Sequence, residues 1–184
     1  VFLNVYEGFS DIISTGYISV TSNVLAVGIQ AREAFGDLLI YSSGNISAIV
    51  DNDDYGNAIG VSGRNVYGNL DIINLGDITV SSGANAAGII AESAGYEGYY
   101  YSFPADIAIV SDGAVSVTSG YGRASGIQAA TTYGDVTVHA SGSIDVSGAQ
   151  RSTGMRANSL YGDIAIYTDA DITVSSGSEY ALVI

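Results

Sequence analysis

Apolar and polar residues alternate along this chain in short runs, and the runs recur in sets of three. The period of two is that of β-strands, not the 3.6 of helices. A first segment, A, carries Leu38/Ile40, Leu70/Ile72, Ile107/Ile109, Val136/Val138 and Ile164/Ile166. A second, B, carries Ile18/Val20, Ile46/Ala48, Ile78/Val80, Val115/Val117, Ile144/Val146 and Ile172/Val174. Between the apolar positions of B stand Ser19, Ser47, Thr79, Ser116, Asp145 and Thr173, a column that faces water. A third segment, C, follows a glycine: GIQA at 28–31, GVSG at 60–63, GIIA at 88–91, GIQA at 126–129 and GMRA at 154–157.

Units of A, B and C open at Gly8, Gly36, Gly68, Ala105, Gly134 and Gly162, with spacings of 28, 32, 37, 29 and 28 residues. Such a period marks a stacked repeat architecture. A propeller blade needs four antiparallel strands and about 40 residues, more than the uninterrupted unit offers. A three-sided parallel β-helix needs one triangular coil per unit, with like residues above like, and the columns meet that demand. The expectation is therefore an all-β solenoid of about six coils of ~28 residues, a rod of roughly 30 Å at about 4.8 Å per coil, spanning 1–184 as a single domain. Phe35, Tyr67, Tyr133 and Tyr161 each precede the opening residue of a unit, with Phe103 close to the same place, so a ladder of rings is expected at one corner.

Composition narrows the function classes. The chain has 47% apolar and 13% charged residues, too apolar for a disordered segment. Its net charge of −14, with five arginines and no lysine, opposes phosphate backbones and anionic lipids, so nucleic acid is excluded as a partner. No cysteine is present. No apolar run is long enough for a membrane-spanning helix. The chain begins with Val1 and shows no signal-peptide pattern, so a fragment or processed form of a longer secreted protein is expected.

GDIAI at 162–166, GDVTV at 134–138 and ASGIQA at 124–129 resemble the β-helical passenger regions of bacterial autotransporters and related large surface adhesins. The likeness covers essentially the whole chain. It implies a right-handed coil, an extracellular or cell-surface location, and a structural or adhesive role.

Two insertions break the period, and loops on a rigid scaffold are where function concentrates. One, at residues 50–56, lengthens the B-to-C connection of the second unit; the other, at 94–104, lengthens the C-to-A connection of the third. They are expected at opposite edges of face C. A shallow groove between them would be floored by Gln30, Ser62, Ile90, Gln128 and Arg156. Tyr96, Tyr99, Tyr100 and Tyr101 with Gln128 and Arg156 are the candidate ligand residues, because rings stack on sugars and amides bond hydroxyls; surface glycans are the partner this suggests. Tolerated surface insertions are the plainer alternative.

Asp51, Asp53 and Asp54 form a weak candidate for calcium, which takes several oxygen ligands. The EF-hand match fails at Tyr55 and Ser62, leaving a solvated acidic turn and no expected cofactor. His139, the only histidine, has no nucleophile paired with it by any motif. Pectate-lyase-like enzymes on this class of scaffold group acids with a basic residue on one sheet. Here Asp11 and Asp71 fall in the outward column of A, while Arg123, Arg151 and Arg156 gather near C. A non-enzymatic role is expected, with polysaccharide binding or cleavage as the alternative.

Val1 aligns with Ile29, Val61, Ile89, Ile127, Met155 and Val183, so the chain holds close to a whole number of coils. Val1, Phe2 and Leu3 at one end, and Leu182, Val183 and Ile184 at the other, are apolar and uncapped. Head-to-tail stacking into a filament follows as a third expectation.

Overall fold

A computed structural model describes residues 1–51, 55–97, 102–103, 105–178 and 180–183. They form three parallel sheets wound as a β-solenoid of six turns, with no helix among the described residues. Face A stacks Ser10–Ser14, Leu38–Ser42, Leu70–Asn74, Ile107–Ser111, Val136–Ala140 and Ile164–Thr168. Face B stacks Ile18–Ser22, Ile46–Val50, Ile78–Ser82, Val115–Ser119, Ile144–Gly148 and Ile172–Ser176. Face C has seven strands: Phe2–Glu7, Leu25–Phe35, Asn57–Tyr67, Asn85–Ser93, Ala124–Thr131, Ser152–Ser159 and Ala181–Leu182. The register sets each apolar column on itself, as in Leu38, Leu70, Ile107, Val136 and Ile164 of A. Side chains at these positions of the middle coils are almost wholly buried, and β-branched residues fill the pleat from one coil to the next.

Face C departs from simple alternation. Along Leu25–Phe35 the glycine and the residue after it are both buried, so the strand bends inward at Gly28 and its alternation changes phase. Only glycine fits there. A Cβ on Gly60 would stand 2.5 Å from Ile78 Cγ2 and 2.7 Å from the Gly88 carbonyl, and one on Gly126 2.4 Å from the Gly154 carbonyl. The unit-opening glycines answer a different demand: Gly36 and Gly134 have φ of 134° and 149°, closed to residues with a Cβ.

Polar side chains turned inward at strand ends tie down the corners, since buried turn carbonyls need donors. At the end of face C, Asn65 Nδ2 donates to the Gly36 and Asn69 carbonyls at 2.8 and 2.9 Å, Thr131 Oγ1 to Ala105 at 3.0 Å and Ser159 Oγ to Gly134 at 2.8 Å. Glu33, 2% exposed, holds the same column and accepts from Ser10 Oγ and from the Ala34 and Phe35 amides. Outside the corner, Asp37, Asn69, Asp106 and Asp135, each following an opening residue, accept from the backbone of the next coil, as Asp106 Oδ1 does from Asp135 N and Asp135 Oδ1 from Asp163 N, both at 2.8 Å.

The ring ladder forms in two stacks. Phe35 lies on Tyr67 at 4.9 Å and Tyr133 on Tyr161 at 4.8 Å. Between them the second insertion intervenes with an antiparallel pair, Tyr96–Glu97 and Ser102–Phe103, and Tyr67 meets Tyr96 and Phe103 edge-on at 6.5 and 6.1 Å. One register assignment is corrected. Leu182 pairs with Thr153, which sets Val183 opposite Gly154, one position short of the Met155 column. The cause is the last B-to-C turn, where five residue steps from Ser176 to Ala181 answer four from Gly148 to Ser152.

Candidate functional site

Face C carries the least uniform outward surface. Gln30, Ser62, Ile90, Gln128 and Arg156 do form one outward column. Beside it, the residues just outside or at the strand starts bring Leu25, Asn57 and Asn85 into line, followed by Arg123 and Arg151. On the fourth and fifth coils the outward side chains therefore make a grid of two by three: Arg123 over Arg151, Ser125 over Thr153, Gln128 over Arg156. The phase change at Gly126 and Gly154 separates the second and third columns by three residues instead of two.

These six residues line a hollow of about 60 Å³. At its floor Ser125 and Thr153 are 8% and 4% exposed. Gln128 Nε2 donates to Ser125 Oγ at 2.5 Å, so the Ser125 hydroxyl hydrogen remains to be donated. The Arg151 guanidinium lies 4.6 Å from the centre of the Tyr180 ring, a cation–π contact that fixes its direction. No described carboxylate pairs with any of the three arginines: the one ion pair among the described residues joins Arg64 to Glu92 on the second and third coils. A larger hollow of about 410 Å³ adjoins, sharing Arg123, Ser125 and Gln128, with Asn57 and Asn85 at its side and Ala86, Ala87 and Ile90 beneath.

Tyr96 stands elsewhere. It lines a recess of about 260 Å³ with Phe35, Tyr67 and Phe103 at the C-to-A corner, so the structure brings Gln128 and Arg156 together and sets Tyr96 apart from them. Tyr99, Tyr100 and Tyr101 lie outside the described residues. Asp51 is exposed, its amide donating to the Ser22 carbonyl at 3.0 Å, and Asp53 and Asp54 also lie outside. Among the described residues no group of three His, Cys, Asp or Glu side chains could hold a metal ion. His139 is exposed between Val110 and Tyr167 on face A.

Asp11 and Asp71 share an outward column of face A with Leu39 between them. Burial against such neighbours, and secondarily the charge of Asp37, raise the Asp71 carboxyl above its ordinary range.

The sequence pattern missed Ser125 and Thr153, because a hydroxyl residue beside a core position looks like any strand residue. The signal was present in the pairs RASGIQ at 123–128 and RSTGMR at 151–156. Their parallel spacing stacks cation on cation once the coils are in register. No protein-family model, curated protein or solved structure was found to match the chain.

Proposed function

We propose that this chain is a rigid adhesive segment of an extracellular or cell-surface β-helix, of the kind its repeats resemble, holding face C out for recognition of surface glycans. The observation that carries the proposal is the contrast between columns. Inward columns repeat in every coil, whereas the outward positions of face C differ coil by coil and surround hollows rich in amide, hydroxyl and guanidinium groups. A scaffold held by long-range in-register pairing keeps such groups at fixed spacing, which lowers the entropy lost on binding. The role is non-enzymatic in this proposal, because Asp11 and Asp71 stand on face A and Arg156 on face C. Beads coated with the chain should attach to glycan-coated surfaces and release on competition with soluble oligosaccharide. Equal attachment to bare surfaces would overturn the proposal, and turnover of an acidic glycan abolished by Arg156→Ala would overturn its non-enzymatic part.

A second role, stacking, is favoured by the end strands. Ile18 and Val20 at one end are only half-buried although their column partners Ile46 and Ala48 are buried, and Ile164 is 46% exposed at the other although its column partners Leu70 and Val136 are fully buried. An open parallel edge of this kind is completed by another coil, from a longer parent chain or from a second copy. Electron microscopy across a concentration series tests the second copy: rods that lengthen with concentration support it, and uniformly short particles count against it.

A further inference from the structure

We infer that Arg123, Arg151 and Arg156, with Ser125, Thr153 and Gln128, form a site for the charged group of an acidic glycan, a carboxylate or sulfate carried on a sugar ring. The inference rests on face C being the recognising side and names what it recognises.

Charge distribution is the first argument. The chain has 19 acidic residues and five arginines, yet three of those arginines share one hollow and no described carboxylate neutralises them. Arg123 and Arg151 occupy paired positions on adjacent coils, about 4.8 Å apart along the stack, where like charges repel. An anion seated between them relieves that repulsion. The donor set is the second argument. Guanidinium forks bind carboxylate or sulfate oxygens in pairs, and the sheltered Ser125 and Thr153 hydroxyls add donors from below. Tyr180 holds the Arg151 guanidinium in place before any ligand arrives.

Shape selects a glycan from among anions. The small hollow of about 60 Å³ has room for one charged group and not for a ring. The neighbouring hollow of about 410 Å³ shares three of its residues and combines an apolar floor at Ala86, Ala87 and Ile90 with amides at Asn57 and Asn85. A pyranose has that same division, apolar C–H faces and a rim of hydroxyls. The ring fits the larger hollow while its charged substituent enters the smaller. A nucleic acid or anionic membrane would bring many charges close to a chain of net charge −14, whereas a single substituent engages the arginines alone.

Calorimetry with an oligosaccharide bearing a single uronic acid and its methyl ester, and with a monosulfated oligosaccharide and its desulfated form, tests the inference and separates carboxylate from sulfate. The charged member of at least one pair should bind roughly tenfold or more tighter than its neutral counterpart, and Arg156→Gln or Arg123→Gln should remove that preference. Urea midpoints of both variants should stay at the parent value, since both side chains are exposed. Equal binding of charged and neutral forms, unmoved by either variant, would overturn the inference and leave glycan adhesion standing. Arginine-dependent binding of duplex DNA or polyglutamate without glycan binding would overturn the glycan assignment. If no glycan binds at all, both proposals fall.

Discussion

Faces B and C are built on one inward rule and differ on the outside. On face B the outward columns are as regular as the core: Ser19, Ser47, Thr79, Ser116, Asp145 and Thr173 in one, Thr21, Ile49, Ser81, Thr118, Ser147 and Ser175 in the other. Each strand there has five residues between two turns. Small hydroxyl side chains suit a pleated, solvated surface and leave it flat. Face C uses strands of eight to eleven residues in its five central coils, bent at a glycine, and its outward residues range from Ile90 to Arg156. The lesson is that a solenoid constrains a position by what stacks on it from inside. Outward positions are free to diverge without disturbing the stack, as they do on face A from Asp11 to Thr137 and on face C from Ile90 to Arg156, and the long, bent strands of face C add hollows to that divergence.

The comparison breaks most sharply at the glycine column. Gly126→Val sets a Cβ 2.4 Å from the Gly154 carbonyl oxygen and 2.7 Å from Ile144 Cγ2, and should cost about 3 kcal/mol or more in urea unfolding. Ser116→Val, the same side chain placed outward on face B, should move stability by no more than about 0.5 kcal/mol. Inward truncations should treat the two faces alike: Ile78→Ala on B and Ile127→Ala on C, each 0% exposed, should each cost about 2–5 kcal/mol by the same assay. A wide disparity between them would show that the faces are not energetically equivalent inside.

Function should separate what stability does not. Thr153→Val keeps volume and removes one hydroxyl from the floor of the arginine hollow. It should weaken binding of the acidic oligosaccharide by about 0.5–1.5 kcal/mol, read by calorimetry, and Thr79→Val on face B should not change it. The smallest effect belongs to face A. Because the Asp71 carboxyl is raised in the folded state, its charged form is disfavoured there. The stabilisation it provides is complete at acid pH, below the ordinary carboxylate range, and is lost as pH rises through the raised value. Asp71→Asn should therefore stabilise the chain slightly at neutral pH, by less than about 0.5 kcal/mol, and not at acid pH. Urea midpoints at the two pH values check the sign.

The columns of A and B were legible because a period of two needs only the identity of neighbours, and both registers stand as the alternation implied. The bend in C was marked by its recurring glycines, but its consequence was not legible: Gly28 and Ile29 both turn inward, which shifts the outward set to Val27 and then Gln30. The aromatic positions were also visible, yet the second insertion splits their ladder at Tyr96 and Phe103, since an inserted loop has no periodic partner to reveal where its rings lie. The Val183 displacement has a related origin, because a single added residue in a turn leaves the composition of the strand unchanged.

Sequence alone determined the approximate number of coils, the three faces and the apolar inward columns of A and B, because stacking in register demands that like residues recur at like intervals. Tertiary structure alone decided which outward residues meet. Arg123 and Arg151 are 28 residues apart in the chain and neighbours on the sheet, while Tyr96, expected beside Gln128 and Arg156, faces another corner. Alternation reports whether a side chain points in or out, but the contacts of an outward side chain depend on the coil above, the coil below and the bend of the strand, and those are set only when the coil closes.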